Sequence, residues 1–254
     1  MADNGLTRDA FLGGRVMIRQ PRQGYRAGVD PVFLAASVLA KPGESLLDLG
    51  CGVGTAALCA GTRLPGLRLV GLERQADHAA LAVANAAENG LEMEVITGDL
   101  TAMPPALRQR QFDHIIANPP YFLRHSSVAG QHDAREAAMG EDTPLADWVS
   151  VAARRLRPGG SLTFIHRAER LPELITAFAS HLGALELKPL TPRAGRAARL
   201  LLLRGRKERN AAFQLHAGLL LHSGASHTSD AEDYTAIASA ILREAAPLDF
   251  NLSV

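Results

Sequence analysis

Short apolar runs rich in leucine and β-branched residues alternate along this chain with alanine-rich stretches of helical period. No other feature of the sequence restricts the fold as much. The runs are "SLLDLG" (45–50), "LRLVGLE" (67–73), "MEVITGD" (93–99), "FDHIIAN" (112–118) and "GSLTFIH" (160–166). Between them lie "QADHAALAVANAAENG" and "LADWVSVAARRLRPGG", the second closing on Arg157, Pro158 and the pair Gly159–Gly160, a stop signal before a new strand. Strands separated by helices of this length predict a parallel sheet covered on both faces. Later, "ALELKPLTPR" and "ARLLLLRGRK" are joined only by "AGRA". That link is too short for a helical crossover and predicts an antiparallel pair. The expectation is one doubly wound, Rossmann-like α/β domain over residues 1–254. It divides into a lead-in (1–44), a core (45–207) and a C-terminal addition (208–254).

In such sheets a ligand lies beyond the C-terminal strand ends, where strand order reverses. The first strand of the core runs into "DLGCGVGTAALCA", whose Gly50, Gly52 and Gly54 allow a tight turn and close backbone approach to a ligand at a helix start. A dinucleotide fingerprint needs a further glycine at position 55, which is Thr55, and this counts against NAD or FAD. The next strand ends on Glu73, placed to hold two ribose hydroxyls. The one after it ends near Asp99, placed to accept from an adenine amino group. Each acid alone could be a solvated strand end. Together, Asp48, the three glycines, Glu73 and Asp99 describe a nucleoside pocket.

Other signals narrow the setting. The formal charge of +1 gives no global field for nucleic acid, so any basic patch is local. No apolar run reaches a membrane-spanning length, and "MADNGLTRDAF" lacks a signal pattern, so a cytoplasmic protein is expected. Cys51 and Cys59 have no metal-ligand spacing, nor do His125 and His132, and no metal is expected. Trp148 and Phe164 fall within apolar patterns and read as core.

With "DLGCGVG", "GLE" and "GD" in that order, the chain resembles the class I S-adenosylmethionine-dependent methyltransferases over most of residues 25–207. The resemblance implies a sheet of about seven strands, the last antiparallel, with S-adenosylmethionine as cofactor. It implies contacts from Asp48, Gly50, Cys51, Gly52, Gly54, Glu73, Arg74, Asp99, Leu100 and Asn118. The upstream "GYRAGVDPVFLAA" resembles the segment that closes over the methionine end of the cofactor, which brings in Val29 and Asp30. Asp30 is equally a candidate N-cap for the helix beginning at Pro31.

The stretch "FDHIIANPPYF" ends a strand on Asn118, Pro119, Pro120 and Tyr121, and resembles the catalytic motif of methyltransferases acting on a planar nitrogen. An exocyclic amine is a poor nucleophile, because its lone pair is delocalised into the ring. The Asn118 side-chain oxygen and the Pro119 carbonyl can accept its two N–H bonds and turn that lone pair toward a sulfonium methyl. Consecutive prolines hold the carbonyls and donate no competing N–H. Tyr121 offers a flat face for the base. As a bland alternative, Asn-Pro-Pro also initiates turns.

The motif suits adenine amines, guanine amines of rRNA and glutamine amides. The resemblance is greatest to bacterial tRNA adenine-N(6) methyltransferases that act next to the anticodon of valine tRNA. It rests on "GYRAGVDPVFLAA", "NPPYF" followed by "DAREAA", and a late "DYTAIASAIL". Glutamine methyltransferases of this class carry a helical domain before the cofactor fold, whereas here the first core strand starts near Ser45. A non-catalytic RNA-binding protein is a third possibility, opposed by the complete motif set. For an RNA partner, Arg15, Arg19, Arg22 and Arg26 crowd the lead-in. Arg193, Arg196, Arg199, Arg204, Arg206, Lys207 and Arg209 crowd the last hairpin. Tyr121, Phe122, Arg124, Arg135, Arg196 and Arg199 are the expected substrate contacts.

Overall fold

The computed structural model describes residues 5–121, 143–224 and 233–251. In chain order the elements are β1 (Leu6–Phe11), β2 (Val16–Pro21), α1 (Asp30–Ala36), β3 (Ser45–Leu49), α2 (Thr55–Arg63), β4 (Arg68–Glu73), α3 (Ala76–Glu88), β5 (Met93–Thr97), the single turn α4 (Pro105–Arg108) and β6 (Phe112–Ala117). Then follow α5 (Leu145–Arg155), β7 (Leu156–Arg167), α6 (Leu171–Ala179), β8 (Gly183–Thr191), β9 (Leu200–Arg206), the two-residue strands β10 (Gln214–Leu215) and β11 (Leu219–Leu220), and α7 (Ala236–Glu244).

Strands β3 to β9 form the expected doubly wound sheet, in the order β8-β9-β7-β6-β3-β4-β5. All pair in parallel except β9, which runs antiparallel to β7 and β8. Strand order reverses between β3 and β6, which sets the crevice beyond Leu49 and Ala117. Among the described residues the sheet has nine strands, because β10 and β11, from the C-terminal segment, add to the edge of β8. Strands of two residues are too short to leave a periodic signal in the sequence.

Neighbouring strand residues feed two cores. Leu46, Ile116 and Leu202 face one layer, and Leu47, Ile115 and Leu201 the other. Both faces are apolar, which explains why these strands read as continuous apolar runs. Helix α5 ends at Arg155, before the Pro-Gly-Gly stop. Residues 156–160 then form the bulged start of β7, with Phe112 opposite Leu156 but His114 opposite Ser161.

The lead-in is a hairpin, β1 on β2, laid over α3. Two asparagines one helical turn apart serve its free backbone edge. Asn85 Oδ1 accepts from Arg19 N at 2.9 Å and Asn89 Oδ1 from Met17 N at 2.8 Å, while their Nδ2 groups donate to the carbonyls of the same two residues. The C-terminal segment is held by two buried cations. Lys188 Nζ donates to the Phe250 carbonyl at 3.1 Å, and the Arg204 guanidinium lies 4.0 Å from the Phe250 ring centroid. Among the described residues, no helix is long and apolar enough to cross a membrane.

Candidate active site

Register places the site residues at one level. Leu49 pairs with Ala117 on one side and Leu72 on the other, so Gly50, Asn118 and Glu73 stand side by side one residue beyond these pairs. Gly50 has φ +68°, and a Cβ there would lie 2.7 Å from Trp148 Cη2. The close approach expected of a ligand at Gly50 is thus made by the core tryptophan of α5. Gly52, at φ +55°, has nothing within 4 Å of where its Cβ would be. That open backbone, followed by the first turn of α2, is the cradle that a nucleoside-bearing cofactor fits.

Glu73 is 7% exposed and does more than await hydroxyl groups. Its Oε2 accepts from Gly52 N at 2.9 Å and its Oε1 from Gln75 N at 2.8 Å. Each oxygen retains a lone pair for an incoming hydroxyl, while the carboxylate shapes the glycine turn itself. Asp48 is fully enclosed, accepting from Ala57 N at 3.2 Å. Burial pushes its carboxyl up to about 7, with the Ala57 N–H opposing and the Glu73 charge adding to the rise. Asp99 Oδ1 takes both the amide and the hydroxyl of Thr101, at 2.8 and 2.7 Å, and these bonds hold its carboxyl below the usual range. Leu100 and Cys51 are buried, Val29 is half-buried and Arg74 is exposed.

The Asn118–Tyr121 loop is gripped by the lead-in. Asn118 Nδ2 donates to the Tyr25 phenol oxygen at 2.9 Å. Its Oδ1 is buried with no hydrogen-bond partner among the described residues. The Tyr121 hydroxyl donates to Asp30 Oδ2. Asp30 is the first residue of α1, whose N-cap is Val29, so the expected capping alternative is replaced by this contact. Burial raises the Asp30 carboxyl, against the Tyr121 hydrogen bond and Arg167, and burial with Asp30 raises the Tyr121 phenol well above its usual range. The Arg167 guanidinium lies 5.5 Å from the Tyr121 ring centroid and His166 packs near-perpendicular to the ring at 5.2 Å, leaving at most one face for a base. His166 is itself held neutral, its imidazole lowered to about 4 by burial and by Arg170.

The expected basic surface is rearranged. In the lead-in, Arg19 pairs with Glu88, Arg26 with Asp9, and Arg15 donates to the Glu244 carbonyl. In the last hairpin, Arg204 is 4% exposed and Arg193 pairs with Asp233. Arg206 lies opposite Ser161 of β7, at the end of the strands remote from the crevice, together with Lys207. Arg196 and Arg199 are exposed and sit in the β8–β9 connection. This connection borders the C-terminal end of β7, since Leu200 pairs with Arg167 and the Arg199 carbonyl accepts from Ala168 N at 2.8 Å. Phe122, Arg124 and Arg135 lie outside the described residues. Tyr25, Trp148 and His166 are site neighbours that sequence reasoning missed. The first falls in a Gly- and Arg-rich stretch without periodicity, and the other two are hidden in core patterns.

Residues 29–187 match the family model "Methyltransferase small domain". A tRNA1(Val) (adenine(37)-N6)-methyltransferase of Porphyromonas gingivalis is 33% identical over 65% of this chain and 68% of its own length. A protein of the same name from Actinobacillus succinogenes is 30% identical over 79% of this chain and 85% of its own length. Release factor glutamine methyltransferases of Bordetella pertussis and Aliivibrio fischeri are 31% and 29% identical over 48% and 65% of this chain and 47% and 60% of their own lengths. A ribosomal RNA small subunit methyltransferase C of Pseudomonas fluorescens is 32% identical over 58% of this chain and 39% of its own. Among solved structures, a predicted O-methyltransferase from Agrobacterium tumefaciens superposes with a TM-score of 0.69. It is 27% identical and covers 86% of this chain and 98% of its own.

Proposed function

The chain belongs to the methyltransferase small-domain family and uses S-adenosylmethionine, and on that premise we propose that it methylates the exocyclic 6-amino group of adenine in RNA, specifically tRNA next to the anticodon. Residues 45–207 form the cofactor-binding and catalytic core of this reading, with 1–44 and 208–254 as its additions. The observation that carries it is the buried Oδ1 of Asn118, without a hydrogen-bond partner among the described residues, at the switch point of the sheet. A buried acceptor without a donor costs about 1–3 kcal/mol, and an incoming amine N–H removes that cost.

When bound, S-adenosylmethionine supplies an electrophilic methyl carbon. Glu73 and the open turn at Gly52 hold the nucleoside part, with Asp48, Asp99 and Leu100 around it. Asn118 Oδ1 and the Pro119 carbonyl each accept one N–H of the acceptor amine, which directs its lone pair to the cofactor side. Neither carbonyl takes a proton; the surplus proton of the methylated amine passes to water after transfer, so no base with a tuned pKa is needed before it. Orientation of bound reactants accounts for roughly 7–11 kcal/mol of barrier. Arg196 and Arg199, exposed beside the crevice, support a phosphate-bearing acceptor, as do the names of two relatives similar over 65% and 79% of this chain.

The direct test presents unmodified tRNA, small-subunit rRNA and a release factor to the enzyme with labelled cofactor, followed by nucleoside and peptide mass spectrometry. N6-methyladenosine in the anticodon loop is the expected product. Methylation of the release factor alone, or of a guanine in rRNA, would replace this acceptor with the corresponding alternative.

A second expectation concerns salt. Each phosphate contact to a single strand contributes about −0.7 to the log–log slope of affinity against salt. The double variant Arg196→Ser, Arg199→Ser should flatten that slope by about 0.7–1.4 while leaving cofactor affinity intact. Arg206→Ser, at the remote end of the strands, should leave the slope where it was. A slope unmoved by the double variant would remove the β8–β9 connection from the RNA path.

A further inference from the structure

A primary amide presents its oxygen to a ligand in one orientation and its NH2 in the other, and a half-turn about χ2 exchanges them. The acceptor amine carries N–H donors, so an Asn118 turned the wrong way would oppose donor with donor. In the structure Nδ2 is held by the Tyr25 phenol oxygen at 2.9 Å, which leaves Oδ1 as the buried atom awaiting a donor. Five residues further along the same segment, Asp30 takes the Tyr121 hydroxyl. The lead-in therefore holds both ends of the four-residue catalytic loop. Tyr25 is 43% exposed, and its hydroxyl is the group that reaches the Asn118 amide.

We infer that Tyr25 is a positioning residue for methyl transfer. Its hydroxyl oxygen accepts from the Asn118 NH2 group in the orientation that turns the carbonyl oxygen to the acceptor amine. This rests on the role proposed for Asn118 and extends the catalytic motif to a residue 93 positions upstream.

Tyr25→Phe retains the ring and removes only the hydroxyl. A lost hydrogen bond of about 1–1.5 kcal/mol corresponds to roughly a tenfold effect. With whichever acceptor the substrate panel identifies, kcat should fall about tenfold, while the KM for S-adenosylmethionine stays unchanged and the melting temperature falls by no more than the roughly 2–4 °C that one lost hydrogen bond costs. The same substitution placed on Asn118→Ala should cost nothing more, because its effect runs through that amide. A readout independent of turnover is the Asn118 side-chain NH2 pair in 15N–1H spectra, assigned by its loss in Asn118→Ala. Tyr25→Phe should shift that pair and speed its exchange with water. Turnover within twofold of the parent, an equal loss on the Asn118→Ala background, or an unmoved NH2 pair would each overturn the inference. In all three cases the role of Asn118 itself would stand, whereas an active Asn118→Ala enzyme would remove both.

Discussion

Asn118→Ala is expected to lower the rate of methyl transfer at least ~100-fold while leaving affinity for S-adenosylmethionine nearly unchanged. Deleting one preorganised polar contact at a reacting centre has an effect of this size. The structure indicates why cofactor and chemistry should separate here. The glycine turn is shaped by Glu73 and backed by Trp148, and neither interaction involves Asn118. Among the described residues Asn118 makes a single side-chain hydrogen bond, to Tyr25, whose loss costs about 1 kcal/mol. Truncation also removes the orphaned oxygen, which relieves part of that loss in the free protein. The variant should therefore fold, bind cofactor and fail in chemistry. Single-turnover transfer to saturating acceptor, alongside calorimetry with the cofactor, measures the two quantities apart. Near-native transfer would mean that Asn118 merely ends β6, as the bland reading of Asn-Pro-Pro has it.

The sheet was legible in the sequence because its strands are buried on both faces. Leu46–Leu47, Ile115–Ile116 and Leu201–Leu202 are adjacent pairs that serve opposite cores, so each strand appears as an unbroken apolar run. The antiparallel β8–β9 pair was legible from the length of its connection. The strand-end acids were legible as positions but not as partners. Nothing local announces that Glu73 reaches back 21 residues to the Gly52 amide, or that Asp30 meets Tyr121 across 91 residues. Charge was the least legible property. A count of arginines does not distinguish Arg204, buried over Phe250, from Arg199, exposed beside the crevice. Strand direction decides the matter: one end of β9 borders the site and the other lies remote from it. The tryptophan at 148 was correctly core, yet its close approach to Gly50 makes it the floor of the glycine turn, a relation set by tertiary packing alone.

Glu73→Ala should weaken S-adenosylmethionine binding by roughly 2–4 kcal/mol, a factor of about 30 to 1,000. Two losses combine in that figure. The first is the charge-assisted acceptance of ribose hydroxyls proposed for this carboxylate. The second is internal: without the carboxylate, the amides of Gly52 and Gln75 lose the acceptors they have at 2.9 and 2.8 Å. The glycine turn, whose open side at Gly52 is the proposed cradle, keeps its bonds from Gly50 N and Cys51 N to the Leu72 carbonyl but loses the one that fixes Gly52. Glu73→Gln separates the two contributions. A glutamine presents one oxygen, so it can restore one of the two backbone bonds without the negative charge. If the carboxylate acts through the turn, the glutamine variant should recover a substantial part of the affinity. If the ribose contact dominates, it should bind nearly as weakly as alanine, because a neutral amide is the poorer acceptor and one of its two heteroatoms is a donor. Calorimetric titration of both variants with cofactor, compared with Asn118→Ala on the same preparation, gives the ordering. Unchanged affinity in Glu73→Ala would place the nucleoside away from the β4 strand end and would overturn the pocket described here.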